Sequence, residues 1–164
     1  MHRILVVDND PPVCEAIRAW LMHHGYRVSI ADGGNDGLAA LDNGTFELMI
    51  VDVVMPDMPG FESIRVLHRR APTLPLIAIS GSAFLDPESF GPDFLRLASR
   101  LGATRCLRKP FKPATLLAVI DQCLSEADPH RRYVAALGAV VDALVEPQGR
   151  PRLAGNMIGH ALGR

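Results

Sequence analysis

No stretch of this chain approaches the roughly 20 consecutive apolar residues that a membrane span requires, so no transmembrane segment is expected. A strand-like run begins at Arg3 and leaves no room for a signal peptide, which predicts a cytoplasmic protein. Neither sign of charge is in excess. The net charge is -1, which gives no electrostatic basis for direct nucleic-acid or anionic-membrane binding. Cysteine is scarce as well: Cys14, Cys106 and Cys123 are odd in number, far apart and without CxxC spacing. That excludes a disulfide framework and a structural zinc site, and predicts reduced, mostly buried thiols. The six histidines show no paired ligand spacing, and His130 is read as a helix-cap residue.

What the chain has instead is apolar runs that end in charge. Leu48-Met49-Ile50-Val51 runs into Asp52 and then Val-Val-Met-Pro-Asp-Met-Pro-Gly. A strand apolar on both faces has no inexpensive place for a carboxylate, so an acid at its C-terminal edge points to chemistry. Ile4 to Val7 runs into Asp8-Asn9-Asp10, and Thr104 to Leu107 runs through Arg108 into Lys109-Pro110-Phe111. In an open parallel sheet, ligands bind outside the carboxyl ends of the strands, so these residues are expected to converge on one crevice.

The periodicity alternates between strand and helix five times. Strands are predicted at 4–7, 27–31, 47–51, 76–79 and 104–107. Helices are predicted at Pro11 to His24, 33–43, Gly60 to Arg70, Asp93 to Leu101 and Pro113 to Leu124. The inward positions are Val13, Ile17, Trp20 and Leu21; Leu38 and Leu41; Phe61, Ile64 and Leu67; and Leu116, Leu117, Ile120 and Leu124. This order implies a doubly wound α/β domain, a parallel sheet covered on both faces with right-handed crossovers. The domain is expected to span residues 1–125, followed by a further helix within 126–146 and a flexible tail over 147–164. That helix, about Arg131 to Val145, carries Val134, Leu137, Val141, Leu144 and Val145 on one side. The stripe must be buried, either on its own domain or against a second copy. Residues 125–164 hold five arginines against four acids, too little charge for a separate DNA-binding unit.

Acids at the ends of two strands (Asp8, Asp10 and Asp52) make an oxygen-rich pocket suited to Mg2+, which takes one or two carboxylates and keeps several waters. Ser80 offers a hydroxyl and Lys109 a point charge for phosphoryl oxygens. With these around it, Asp52 can attack phosphorus and become an aspartyl phosphate. Pro110 is expected in cis, as in tight turns that aim a functional side chain.

Across residues 3 to about 125 the D-N-D-P cluster, the D-V-V-M-P-D-M-P-G block, the S-G after the fourth strand and the K-P-F after the fifth resemble the receiver domain of two-component response regulators. The resemblance implies a flavodoxin-like sheet of order 2-1-3-4-5. It also implies phosphoacceptance by Asp52, metal ligation by Asp8, Asn9, Asp52 and the Val54 backbone carbonyl, phosphoryl sensing by Ser80 and the family's lysine at Lys109. The donor would be a histidine kinase or a histidine phosphotransfer protein, and the product a switch that alters its protein partners rather than an enzyme.

Three departures stand out. Asn9 replaces the usual second acid and removes one charge from the metal site. Cys106 stands where many receivers carry an aromatic ring. Ser80 and Lys109 are 29 positions apart, several more than usual, with the excess in Ser82 to Pro92. Two rival readings follow. A degenerate receiver, never phosphorylated, would serve as a constitutive docking or dimerisation module, and only Asn9 speaks for it. A metal-dependent phosphatase or phosphotransferase would need an acid-base carboxylate just after Asp52, where Val53 and Val54 stand.

Overall fold

The computed structural model describes residues 1–81 and 92–128, with Tyr133 and Leu137. Ten elements alternate: β1 (Arg3–Val7), α1 (Pro11–His23), β2 (Arg27–Ala31), α2 (Gly34–Asn43), β3 (Leu48–Asp52), α3 (Phe61–Arg70), β4 (Leu76–Ser80), α4 (Pro92–Arg100), β5 (Arg105–Arg108) and α5 (Pro113–Ala127). The strands form one parallel sheet of order β2-β1-β3-β4-β5, as the resemblance implied. The connection between Ser82 and residue 91, His130, the predicted helix of 131–145 and the tail lie outside the described residues. Leu137 is the exception from the apolar stripe, and it is helical and 47% exposed. Among the described residues no helix is long and apolar enough to cross a membrane.

Successive side chains of a strand point to opposite faces, and here the alternation divides the core in two. Leu5, Val7, Met49, Val51, Leu76 and Ala78 pack with Ile64 and Leu67 of α3 and Ala98 of α4. Ile4, Val6, Leu48, Ile50, Ile77 and Ile79 pack with Ile17 and Leu21 of α1 and Leu116 and Ile120 of α5. Both faces of β1, β3 and β4 are therefore apolar, which is why these strands read as continuous hydrophobic runs.

Some helix faces differ from the periodicity. In α2 the fully covered positions are Gly34 and Gly37, while Leu38 and Leu41 only flank the core. The helix lies too close for a larger residue: a Cβ on Gly37 would stand 3.0 Å from Val7 Cγ1. In α1, Cys14 joins Ile17 and Leu21 in the interior, while Val13 and Trp20 are partly covered. All three cysteines are free. Burial pushes the Cys14 and Cys106 thiols up to about 11, Asp8 adding to the effect at Cys14, and raises Cys123 in the same direction. These are protonated, unreactive thiols at neutral pH.

The start of α2 lacks a capping side chain because its N-cap is Gly33. Asp57, from the loop after β3, supplies one across space, accepting the Gly34 and Asn35 N–H groups at 3.2 and 2.9 Å. The Asn35 bond, with the Gly34 bond behind it, holds this exposed carboxyl below its ordinary range. Its stabilising contribution is therefore complete above the ordinary carboxylate pKa of about 4 and disappears as pH falls through the depressed folded value. Urea unfolding of Asp57→Ala should show a loss of about 1 kcal/mol at pH 7, shrinking in strong acid.

Candidate functional site

The sheet reverses its winding between β1 and β3, and the crevice above that point collects the strand-end charges. Val7 lies opposite Val51, so the next residues, Asp8 and Asp52, leave the sheet side by side. Asp52 continues the Leu48, Ile50 series and Asp8 the Ile4, Val6 series, so both stand toward α1 and α5. Lys109 continues from Leu107 on the same face. Its backbone N–H is fixed on the Ser80 carbonyl at 2.7 Å, and the Lys109-Pro110 peptide is cis.

The three side chains meet. Lys109 Nζ donates to Asp8 Oδ2 at 2.7 Å and to Asp52 Oδ2 at 3.2 Å. The other oxygen of each carboxylate accepts a backbone N–H: Asp10 on Asp8 Oδ1 at 3.0 Å, and Val54 on Asp52 Oδ1 at 3.1 Å. Asp8 and Asp52 are only 1% and 5% exposed. Burial, with Asp8 adding to it, lifts the Asp52 carboxyl above its ordinary range against the opposing pull of Lys109. A more basic carboxylate is a stronger nucleophile. Burial alone would depress Lys109, but its hydrogen bond to Asp8 and the charges of both aspartates reverse this and raise it, so the ammonium stays charged at neutral pH.

Two buried carboxylates against one ammonium leave an unmatched negative charge, and each bonded oxygen keeps a lone pair. Among the described residues no three His, Cys, Asp or Glu side chains group to hold a metal. A divalent ion here would therefore rest on Asp8 and Asp52, with the half-buried Asn9 amide, the Val54 carbonyl and water completing its shell. That hard, oxygen-only donor set fits Mg2+.

Two predicted participants stand differently. Asp10 does not join the pocket: it is exposed and accepts the Val13 N–H at 3.4 Å as the N-cap of α1. A helix start at Pro11 needs such a cap, and that need outcompetes the ion site for this acid. Ser80 is buried at the end of β4 but continues the Leu76, Ala78 series toward α3 and α4. Its hydroxyl donates to the Gly81 carbonyl at 3.4 Å rather than to Asp52.

Sequence reasoning missed two side chains that brace the elements around the pocket. Cys14 Sγ donates to the Asp8 carbonyl at 3.3 Å, tying α1 to the site. Asp57 reaches α2, and the signal for it was the Gly33-Gly34 pair at a helix start, which has no side chain to cap itself. An apolar groove of 460 Å3 runs from the pocket along α1 and α5, lined by Val13, Ile17, Trp20, Lys109, Phe111 and Leu116 among others. A larger cavity of 670 Å3, bordered by His2, Glu47, Pro75 and Ala127, lies at the opposite edge of the sheet and holds none of these residues.

Comparison with known proteins agrees with this architecture. The family model of the response regulator receiver domain matches residues 4–121. PilH of Pseudomonas aeruginosa is 32% identical over 127 residues, covering 76% of this chain and 99% of PilH. Response regulator MprA of Mycobacterium sp. is 30% identical over 148 residues, 90% of this chain but only 61% of MprA's length. The crystal structure of a CheY-like receiver domain protein from Methanospirillum hungatei superposes with a TM-score of 0.69 at 31% identity, over 77% of this chain and 96% of that one. Since the family match runs from β1 into α5 and so takes in every strand of the sheet, the chain belongs to the receiver domains of two-component response regulators.

Proposed function

We propose that Asp52 accepts a phosphoryl group from the phosphohistidine of a histidine kinase or a histidine phosphotransfer protein, and that the phosphorylated form changes its protein contacts. The observation that carries this reading is the bonding of Lys109 to the buried Asp8 and Asp52 at the C-terminal edge of the sheet. An Asp52 oxygen attacks phosphorus, an O–P bond forms and the N–P bond of the donor breaks. The imidazole leaves with the bonding electron pair and is neutral on keeping its other ring proton. Lys109, already on Asp52 Oδ2, is placed to follow charge onto a phosphoryl oxygen. Mg2+ held by Asp8, Asn9, Asp52 and the Val54 carbonyl would neutralise phosphoryl charge. The Ser80 hydroxyl reaches a new phosphoryl group only by leaving the Gly81 carbonyl. That rearrangement would move the β4 end against α4 and β5 without an aromatic partner, since Cys106 is the residue there.

The groove along α1 and α5 suits an apolar helix face of the phosphodonor, because it opens directly beside Lys109. Output runs through protein contacts. Exposed Leu95 and Leu97 on α4 support an apolar contact surface. A net charge of -1 argues against nucleic acid as a direct partner.

Intact mass after incubation with acetyl phosphate should show one added phosphoryl group that requires Mg2+ and is abolished by Asp52→Ala. Absence of the adduct, together with failure to bind beryllium fluoride, would replace this reading with a constitutive docking module, the reading favoured by Asn9.

A further inference from the structure

We infer that Asp57 is a positioning residue for the divalent-ion site: by tying the loop after β3 to the first turn of α2, it fixes where the Val54 carbonyl stands. This rests on the Mg2+ reading of Asp8, Asn9, Asp52 and Val54 given above. The loop is closed at its neck by the Gly60 N–H on the Val53 carbonyl at 2.7 Å. Met55 and Met58 anchor it in the core. Segment 54–57 is then held at both ends. Val54 is held by its N–H on Asp52 Oδ1 at 3.1 Å. Asp57 is held by the Gly34 and Asn35 N–H groups at 3.2 and 2.9 Å.

The α2 side is shaped to receive this loop. Gly33 has a φ of +98°, where a side chain is disfavoured, and a Cβ there would stand 2.8 Å from Asp57 Oδ1. A Cβ on Gly34 would stand 2.7 Å from Met58 Sδ. A carboxylate at a helix N-terminus also meets the positive end of the helix dipole. Releasing Asp57 removes the tie to α2 and leaves the segment on the Val54 N–H and the packing of Met55 and Met58, so part of the ordering of the Val54 carbonyl falls to the bound ion. The expected consequence is an about fivefold weaker Mg2+ affinity, the scale of restricting roughly one backbone residue.

The test is a Mg2+ titration of the full chain followed by two-dimensional amide NMR, for wild type, Asp57→Ala and Asp57→Asn. The Gly34 and Asn35 amide shifts report the clamp, and the Val54 amide reports the ion. Asp57→Ala should move both clamp amides and raise the Mg2+ dissociation constant about fivefold, with Asp57→Asn, which keeps one acceptor oxygen, in between. A role confined to holding α2 would move the clamp amides and leave Mg2+ affinity unchanged, and that result would overturn the inference alone. If Asp57→Ala loses its dispersed spectrum, Asp57→Asn decides by the same criterion. A wild type with no saturable Mg2+ shift sinks the ion-site reading, and this inference with it.

Discussion

Replacing Lys109 with methionine is expected to lower folding stability by about 3 kcal/mol at neutral pH in urea unfolding, near the low end for stripping a buried charge of its partner. Lys109 bridges both carboxylates of the pocket, which are 1% and 5% exposed. Methionine keeps much of the apolar stem, so the loss comes from leaving Asp8 and Asp52 facing each other without a counter-charge. The low end of the range applies because the lysine side chain is itself 20% exposed, and water therefore reaches the site. Two further measurements separate charge from packing. Asp52 is already held above the ordinary range by burial, and losing Lys109 raises it further. A folded carboxyl with a raised pKa favours the folded state in acid, so the loss should be largest above that pKa and shrink as pH falls through it. Millimolar Mg2+ should also restore part of the stability by binding the folded state. A loss indifferent to both pH and Mg2+ would assign it to packing instead. Uptake of phosphoryl from acetyl phosphate should fall steeply in the same variant, since the ammonium bonded to Asp52 Oδ2 is gone.

Asp52→Asn should act in the opposite direction, raising stability by about 1 to 2 kcal/mol at pH 7, the scale on which an unmatched buried charge weighs on a fold. Asparagine preserves the shape, while Asp8 and Lys109 remain as a matched pair. The sign follows from the direction of the Asp52 shift. With its folded pKa above the unfolded one, ionised Asp52 destabilises the fold. That cost is absent below the unfolded pKa and complete above the folded pKa. The gain from asparagine should therefore appear between those two values and vanish in strong acid. Loss of stability in Asp52→Asn at neutral pH would mean that the lost Lys109 Nζ bond to Asp52 Oδ2, where the amide NH2 offers only donors, outweighs the relief of charge. The same substitution removes the proposed phosphoacceptor, so on that reading stability and function pull against each other at one residue.

Local patterns made most of the fold legible. Each strand was bounded to within a residue, because β1, β3 and β4 bury both faces and leave unbroken apolar runs. Helix α2 lies where the pattern predicts it and Leu38 and Leu41 do pack on the core, but only partly covered. Periodicity counts apolar side chains, whereas the closest packing here is made by Gly34 and Gly37, which have none. Asp10 counts among the pocket acids in sequence for a similar reason: sequence shows an acid near a strand end and cannot weigh a helix start one residue later.

By itself, then, the sequence determined that five strands and five helices alternate and that charged residues stand at the strand ends, because both are matters of local period and composition. Only the tertiary structure decided which of those charges form one site. Asp8 and Lys109 are 101 residues apart. They meet because parallel register and the two-residue alternation turn Asp8, Asp52 and Lys109 toward α1 and α5, while the same alternation carries Ser80 to the other face of the sheet. Asp10 and Asp57, similar acids in the same loops, face unpaired helix N–H groups instead, and those donors claim them.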